Sequence, residues 1–242
     1  MPARIHPLPL DRGDCESSSL RIFRHFSTAG LREFELIGMQ MRLPKGAVLF
    51  QEGAPAGSVA VLCEGQVKVQ TTSREGKTVI HKIAMPGEVL GLGAVISGGC
   101  HEVTAETLQQ AIIKNIRRDE FLLFLSRHGE ANMHAARVLS EDYKSAFFDV
   151  HHLALAPSAI GRLASVLLDL SRNCSSEANP QRFTMALTHE DLANLAGMSR
   201  ETVTRMLSRL KRERWIQVHG SSMTILARER LLQLVSNQND LA

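Results

Sequence analysis

The chain has 242 residues, 44% of them hydrophobic, enough to bury two modest cores. Its 28 Lys and Arg against 25 Asp and Glu leave a formal charge of only +3, so any footprint for nucleic acid must be a local excess. No run approaches the roughly twenty apolar residues that span a bilayer, and Met1 to Leu20 carries Asp11, Asp14 and Glu16 where a signal peptide would be apolar, so a cytoplasmic protein without a membrane partner is expected. Residues 1–27 read as a flexible tail. Cys15, Cys63, Cys100 and Cys174 lie far apart with no Cys-x-x-Cys pair, which predicts free thiols and no metal site.

Between Leu43 and Asn115, short apolar or alternating runs at 48–50, 59–62, 67–70 and 79–83 are separated by turns bearing Gly53, Gly57, Gly65, Gly76 and Gly87. Regular short strands with glycine turns predict a β-sandwich or jelly roll over 28–128. A short amphipathic helix follows from Asp119 to Arg127, and a longer one runs from beyond Gly129 toward His152. In the latter, Ala136, Leu139, Tyr143, Ala146, Val150 and Leu153 alternate steps of three and four, the spacing of a helix-helix seam. The same stripe would also suit packing on the chain's own strands. Ala156-Pro157 then interrupts the helical pattern and predicts a hinge, so 129–156 is read as helix and hinge and 157–242 as a second domain.

Thr188 is a good N-cap with Asp191 three positions on, and Glu190 and Asp191 complement the helix dipole. Leu192, Leu195 and Ala196 keep helical spacing, and Gly197 can take the left-handed conformation that ends a helix. Ser199 can cap a second helix in which Val203, Met206, Leu207 and Leu210 face inward and Arg200, Glu201, Thr204, Arg205 and Arg209 do not. Arg200, Arg205, Arg209, Lys211, Arg212 and Arg214 are opposed locally only by Glu201 and Glu213, an electrostatic footprint for phosphate rather than a merely solvated face. From Trp215 to Leu226, two β-prone runs flank Gly220-Ser221 and read as a hairpin. A helix pair followed by a hairpin is a winged helix, so double-stranded DNA is the expected partner.

The segment from Thr188 to Leu210, with Ser199-Arg-Glu-Thr-Val203 at its centre, resembles the DNA-binding domain of the family of the cyclic-AMP receptor protein and the fumarate-nitrate regulator. Upstream, Pro44-Lys-Gly-Ala-Val-Leu-Phe-Gln-Glu-Gly53, Cys63-Glu-Gly-Gln-Val-Lys-Val69 and Pro86-Gly-Glu88 resemble its β-roll sensor domain. The resemblance implies an α+β fold: an N-terminal β-roll of the jelly-roll, cyclic-nucleotide-binding-like kind, a long dimerisation helix and a C-terminal winged helix-turn-helix. It implies a homodimeric transcription regulator that works with RNA polymerase. Two-fold dimers suit palindromic operators whose half-sites lie one helical turn apart.

Arg donates twice to guanine and Glu accepts from cytosine, so Arg200, Glu201 and Arg205 are the candidate base contacts of the helix 199–212. Their Arg-Glu-x-x-x-Arg order resembles the branch with TGTGA-like half-sites. The resemblance places phosphate contacts at Thr188, Ser199, Thr202 and His219, where Thr188 and Ser199 are also caps. An enzyme of the cupin kind would need converging ligands, and His81, His101 and His128 show no such spacing, so no catalytic residue is expected.

The effector is left open. In nucleotide-binding relatives a Gly-Glu pair and an Arg-Ser pair hold the phosphate, followed by hydroxyls from the long helix. Here Gly87-Glu88 is present, but Gly99-Cys100 stands opposite Arg-Ser and Phe147-Phe148 opposite the hydroxyls. A phosphate without its guanidinium loses a charge-assisted bond, which argues against cyclic AMP and against a purely nucleotide-gated module. The lone Cys15 of the tail argues against an iron-sulfur cluster. Alternatives are haem, through Cys100-His101, His6 or Pro2, thiol redox sensing at Cys100, an unknown small molecule beside Phe147, or no effector at all.

Overall fold

The computed structural model describes residues 8–9, 26–154, 158–176, 179–184, 186–220 and 222–236. The Ala156-Pro157 hinge, Cys15, His6 and Pro2 lie outside these residues, as do the side chains of Phe147 and Phe148. The chain forms two compact units, Met1–Thr71 with His81–Phe147, and Thr72–Ile80 with Phe148–Ala242.

The elements of the first half are β1 (Leu8–Pro9), α1 (Thr28–Leu36), β2 (Met39–Leu43), β3 (Val48–Phe50), β4 (Ser58–Glu64), β5 (Val67–Thr72), β6 (Thr78–Ala84), β7 (Val89–Leu90), α2 (Leu92–Ser97), β8 (Thr104–Thr107), β9 (Ala111–Arg117), α3 (Arg118–Arg127) and α4 (Gly129–Ala154). One sheet has the order β1-β2-β9-β4-β7 and the other β3-β8-β5-β6. The predicted strands and both predicted helices are there. The pairing of Leu8 with Arg42 and Pro9 with Met41 corrects part of the expected flexible tail, because β2 would otherwise end the sheet with unpaired backbone groups.

β4 explains why its sequence is a continuous apolar run instead of an alternation. Ala60 and Leu62 join the core between the sheets. Val59, Val61 and Cys63 face a second core made with Phe34 of α1, Leu92 and Val95 of α2, Phe121, Phe124 and Leu125 of α3, and Ala131 and Ala135 of α4. Both faces of the strand are therefore buried. Gly65 turns the chain from β4 into β5 at φ 92°, and a Cβ there would lie 2.7 Å from the Gln110 carbonyl, so only glycine fits. Cys63 is disulfide-bonded, correcting the expectation of a free thiol, since sequence distance does not register which sulfurs fold together. Cys100 is free and exposed.

Long-helix residues divide between the two roles that periodicity left open. Ala131 and Ala135 are buried, and Val138 and Leu139 pack partly on the helix-side core. Ala136 and Ala146 are exposed, with Met133 57% and Tyr143 72% exposed. Leu139, expected in the seam, thus packs on its own β-roll, because one turn of helix presents both faces to different neighbours.

Lys114 is the one buried lysine among the described residues, 3% exposed. Its ammonium donates to the carbonyls of Phe34 (2.5 Å) and Glu35 (3.1 Å) at the end of α1 and lies 4.6 Å from the centre of the Phe34 ring. Those carbonyls lack intrahelical donors and carry the negative end of the helix dipole. Burial pushes the Lys114 ammonium down to about 8 from 10.5. Between those pH values the unfolded chain binds more protons, so stability contributed here rises with pH and is lost as pH falls through about 8. At about 1.4 kcal/mol per pH unit the effect is bounded near 3 kcal/mol. Urea unfolding at pH 7.5 and 9.5 is expected to show wild type gaining relative to Lys114→Met, and parallel pH profiles would refute it.

The second half comprises α5 (Ala159–Cys174), β10 (Ser175–Ser176), β11 (Asn179–Thr184), α6 (His189–Ala196), α7 (Arg200–Arg212), β12 (Ile216–His219), β13 (Ser222–Ile225) and α8 (Arg228–Ser236). The predicted hairpin is β12-β13, and it belongs to a four-stranded sheet of order β10-β11-β13-β12. Phe183, Ile216, Met223 and Ile225 are buried there.

Candidate functional site

The helix pair is positioned by its own ends. Thr188 Oγ1 accepts the Asp191 N–H at 3.1 Å while an Asp191 carboxylate oxygen accepts the Thr188 N–H at 2.9 Å, a complete capping box. Gly197 at φ 60° ends α6, and Arg162 of α5 donates to the Ala196 carbonyl at 2.9 Å, tying the helix end to the domain. Ser199 Oγ accepts the Thr202 N–H at 3.2 Å and starts α7. Val203, Leu207 and Leu210 are buried on one side of α7, with Met206 half-buried.

The other side of α7 is exposed and basic. Arg200 and Arg205 make no ion pair among the described residues, whereas Arg209 is held by Glu213 at 2.8 Å. Glu201 is kept below the usual carboxylate range by a bond to its own backbone and by Ser199, with Arg200 adding to the effect. It is therefore an ionised acceptor, as contact with a cytosine amino group requires. Thr204 Oγ1 donates to the Arg200 carbonyl at 2.9 Å and meets His189 Nδ1 at 2.9 Å, so the start of α6 is fastened to α7 one turn beyond Arg200. The basic surface continues into a cleft of about 650 Å³ lined by Ser158 at the start of α5 and by Arg205, Arg209 and Arg212. Thr188, Ser199, Thr202, Arg200, Glu201 and Arg205 thus belong to one helix pair, and His219 stands exposed on the hairpin beside Gly220 at φ 57°. His189 was missed by sequence reasoning, although a histidine right after a helix cap was a visible signal.

The effector candidates are more dispersed. Gly87 makes a tight turn at φ 96° before β7. Glu88 folds back: one carboxylate oxygen accepts the Met85 N–H at 2.9 Å, and the other lies 3.1 Å from Lys82. Lys82 also pairs with Asp142 of α4 at 2.9 Å. Although burial is the largest influence on Lys82 and opposes its charge, the two carboxylates together raise its pKa. The helix start in this region is Gly91-Leu92, beyond Gly87-Glu88.

Gly99 accepts the Ala56 N–H through its carbonyl at 3.1 Å, and Cys100 bridges to Pro55. Beside them Arg118 donates to the Val95 carbonyl at 2.8 Å and reaches Gly98. His101 is 5% exposed and stacked on Phe50 at 3.9 Å, and burial lowers its pKa and favours the neutral ring. His81 bonds Thr71 at 3.0 Å, and His128 bonds Glu33 at 2.9 Å, so the three histidines occupy separate places.

Known proteins match in the same order along the chain. Residues 40–128 match the model of the cyclic nucleotide-binding domain, and residues 161–234 that of the Crp-like helix-turn-helix domain. The CRP-like cAMP-activated global transcriptional regulator of Mycobacterium tuberculosis is 28% identical over 189 residues, 78% of this chain and 84% of that one. The fumarate and nitrate reduction regulatory protein of Escherichia coli is 25% identical over 231 residues, 95% and 92% of the two chains. The fold is similar to that of FixK2 from Bradyrhizobium japonicum, with a TM-score of 0.73 at 22% identity over 82% of this chain and 97% of that one. A β-roll followed by a capped helix pair and hairpin, matched in both halves by the same group of regulators, shows that the chain belongs to the Crp/Fnr family of DNA-binding transcription regulators.

Proposed function

We propose that the protein is a homodimer that binds a palindromic operator with TGTGA-like half-sites, each read by the helix 199–212. Arg200, Glu201 and Arg205 contact base edges, and Thr188, Ser199, Thr202 and His219 hold backbone phosphates. The observation that carries this reading is the two-sidedness of α7. Its apolar side is spent on the domain core, while Arg200 and Arg205 stand exposed without ion-pair partners among the described residues. The domain division is 1–27 an N-terminal segment whose Leu8 and Pro9 pair with the sensor sheet, 28–128 sensor, 129–156 helix and hinge, and 157–242 reader.

The proposed dimer seam uses the exposed side of α4, with Ala136, Tyr143 and Ala146 joined by Met133 in place of Leu139. RNA polymerase is the further partner such a regulator needs, and the cytoplasm is its place; no helix among the described residues is long and apolar enough to cross a membrane.

The residues do not fit cyclic AMP. Glu88 is already engaged by Lys82 and the Met85 N–H, and Gly99-Cys100 supplies no guanidinium. Haem at Cys100-His101 is disfavoured by the burial of His101 against Phe50. The readings that stand are haem through His6 or Pro2, thiol redox sensing at the exposed Cys100, another small molecule, or no effector.

Binding to a palindromic TGTGA duplex and to a scrambled duplex, at one salt concentration and without ligand, tests the reading. Selective binding is expected, and equal affinity for both refutes the base contacts. Tyr143→Lys places a charge in the seam and is expected to lower both the mass in sedimentation and the operator affinity. An unchanged dimer mass refutes the seam.

A further inference from the structure

The core between the two sheets of the β-roll ends in two polar side chains. On β9, Ala111 and Ile113 are buried in that core, and the period of two puts Asn115 on the same face. On β4, Ala60 and Leu62 lie in the core, and Ser58 shares their face. Asn115 pairs with Met39 on one side and with Ala60 on the other. Ser58 and Asn115 are half-buried, and neither side chain has a hydrogen-bond partner among the described residues. They line a cavity of about 220 Å³ together with Met41 of β2 and Leu49 and Phe50 of β3, where the small Ala47 and Ala60 leave room. Met39, on the same face of β2 as Met41, is exposed, so apolar surface continues outward from the cavity.

The lining selects a chemistry. None of its residues carries a charge, so an ion of either sign would lose its water without gaining a counter-charge. A wholly apolar molecule would cover Ser58 and Asn115 and leave their polar atoms unpaired. A hydroxyl and a carboxamide both donate and accept, so together they suit one neutral polar group. A cavity of about 150 Å³ admits benzene, so about 220 Å³ takes one ring with a short polar arm. No lining residue belongs to Gly87-Glu88 or Gly99-Cys100.

Phe50 connects the cavity to the neighbouring loop. Its ring stacks on His101 at 3.9 Å. A Cβ at Gly91, the residue that precedes α2, would lie 2.9 Å from His101 Cε1 and 3.4 Å from Phe50 Cε1. Three groups are thus in close contact at the start of α2, and a molecule that displaces Phe50 must move the other two.

We propose that this cavity is a binding site for a small neutral amphiphile, a single ring or short chain with one hydroxyl, carbonyl or carboxamide end, held by Ser58 and Asn115 and sensed through Phe50. This rests on the β-roll being a small-molecule sensor and names the class of its ligand.

The test titrates the full chain, labelled at its methionine methyl groups, with 2-phenylethanol, ethylbenzene and phenylacetate. The alcohol is expected to shift the Met41 resonance and leave Met206 and Met223 of the second half unmoved. Phenylacetate, of similar shape but charged, should bind more weakly by at least about tenfold. Ser58→Ala and Asn115→Leu should each move the preference from the alcohol toward ethylbenzene by about two- to tenfold, the worth of one hydrogen bond. A purely structural role for either residue leaves that ratio unchanged. Ser58→Phe fills the cavity and should abolish binding of all three, and if it does not fold, the preference of Asn115→Leu decides. No shift at Met41, equal binding of phenylacetate, or an unchanged preference in Ser58→Ala and Asn115→Leu overturns the proposal. Affinity for the TGTGA duplex is then measured with and without saturating alcohol, and a change of about fivefold or more is expected. If the alcohol binds as described and DNA affinity does not move, the sensor reading has failed while the site stands, so the two failures are told apart.

Discussion

Arg200→Ala is expected to weaken binding to the TGTGA palindrome by about 1 to 3 kcal/mol per half-site, about five- to 150-fold, and to relax preference at one base pair. The guanidinium stands in the first turn of α7, exposed and without an ion-pair partner among the described residues. Its removal therefore leaves no buried charge behind and should not lower the unfolding midpoint. A Lys at the same place keeps the charge but loses the two-pronged geometry that suits guanine. Arg200→Lys should therefore retain affinity for random duplex while losing selectivity. Competition binding against duplexes substituted one base pair at a time measures this, and equal losses on specific and random DNA would show that Arg200 contacts only the backbone.

Phe124→Ala is expected to cost about 3 to 5 kcal/mol of folding stability, a large fraction of what holds an ordinary domain folded. Phe124 is 1% exposed, and its ring lies 5.6 Å from Phe34, 6.0 Å from Phe26 and 4.8 Å from His128, measured between centroids. It thus touches α1, the segment before it and the end of α3, under the buried side of α4. Truncation removes contacts with several elements at once, and these elements are held by the surrounding sheet, which limits collapse into the void. Phe124→Leu, which keeps much of the volume, should cost less than half as much. Urea unfolding followed by circular dichroism measures both, and a loss below about 1 kcal/mol for alanine would mean that the site relaxes freely.

How much of the site was legible depends on how local its causes are. The capping box at Thr188 and Asp191, the left-handed Gly197 and the Ser199 cap were readable because each rests on groups within a few residues. So was the inward set Val203, Leu207 and Leu210, which follows from helical spacing alone. Glu88 could be named but not interpreted, since Lys82 and Asp142, which form the ion-pair cluster around it, come from β6 and α4. His101 could be named only as a haem candidate beside Cys100, yet lies under Phe50, because the pairing that buries it is between segments far apart in sequence. The elements missed include α1, α2, α5 and α8 and the strands β1, β2, β7, β8, β9, β10 and β11, most of them short segments whose patterns do not stand above their neighbours without the surfaces they cover.

The residue order alone determined the two-domain plan, the strand-rich first half, the helix pair with its hairpin and the basic face of α7. Each follows from periodicity, capping and turn chemistry acting within a window of a few residues. Only the tertiary structure decided that Leu139 packs on its own β-roll while Tyr143 stands exposed, that Lys114 is buried against the end of α1, and that His189 is bonded to Thr204. A helix presents several faces whose spacing is equally regular, and which one is buried depends on partners brought together by the whole fold. The bond between His189 and Thr204, 2.9 Å long and joining residues fifteen apart in sequence, has the same kind of cause.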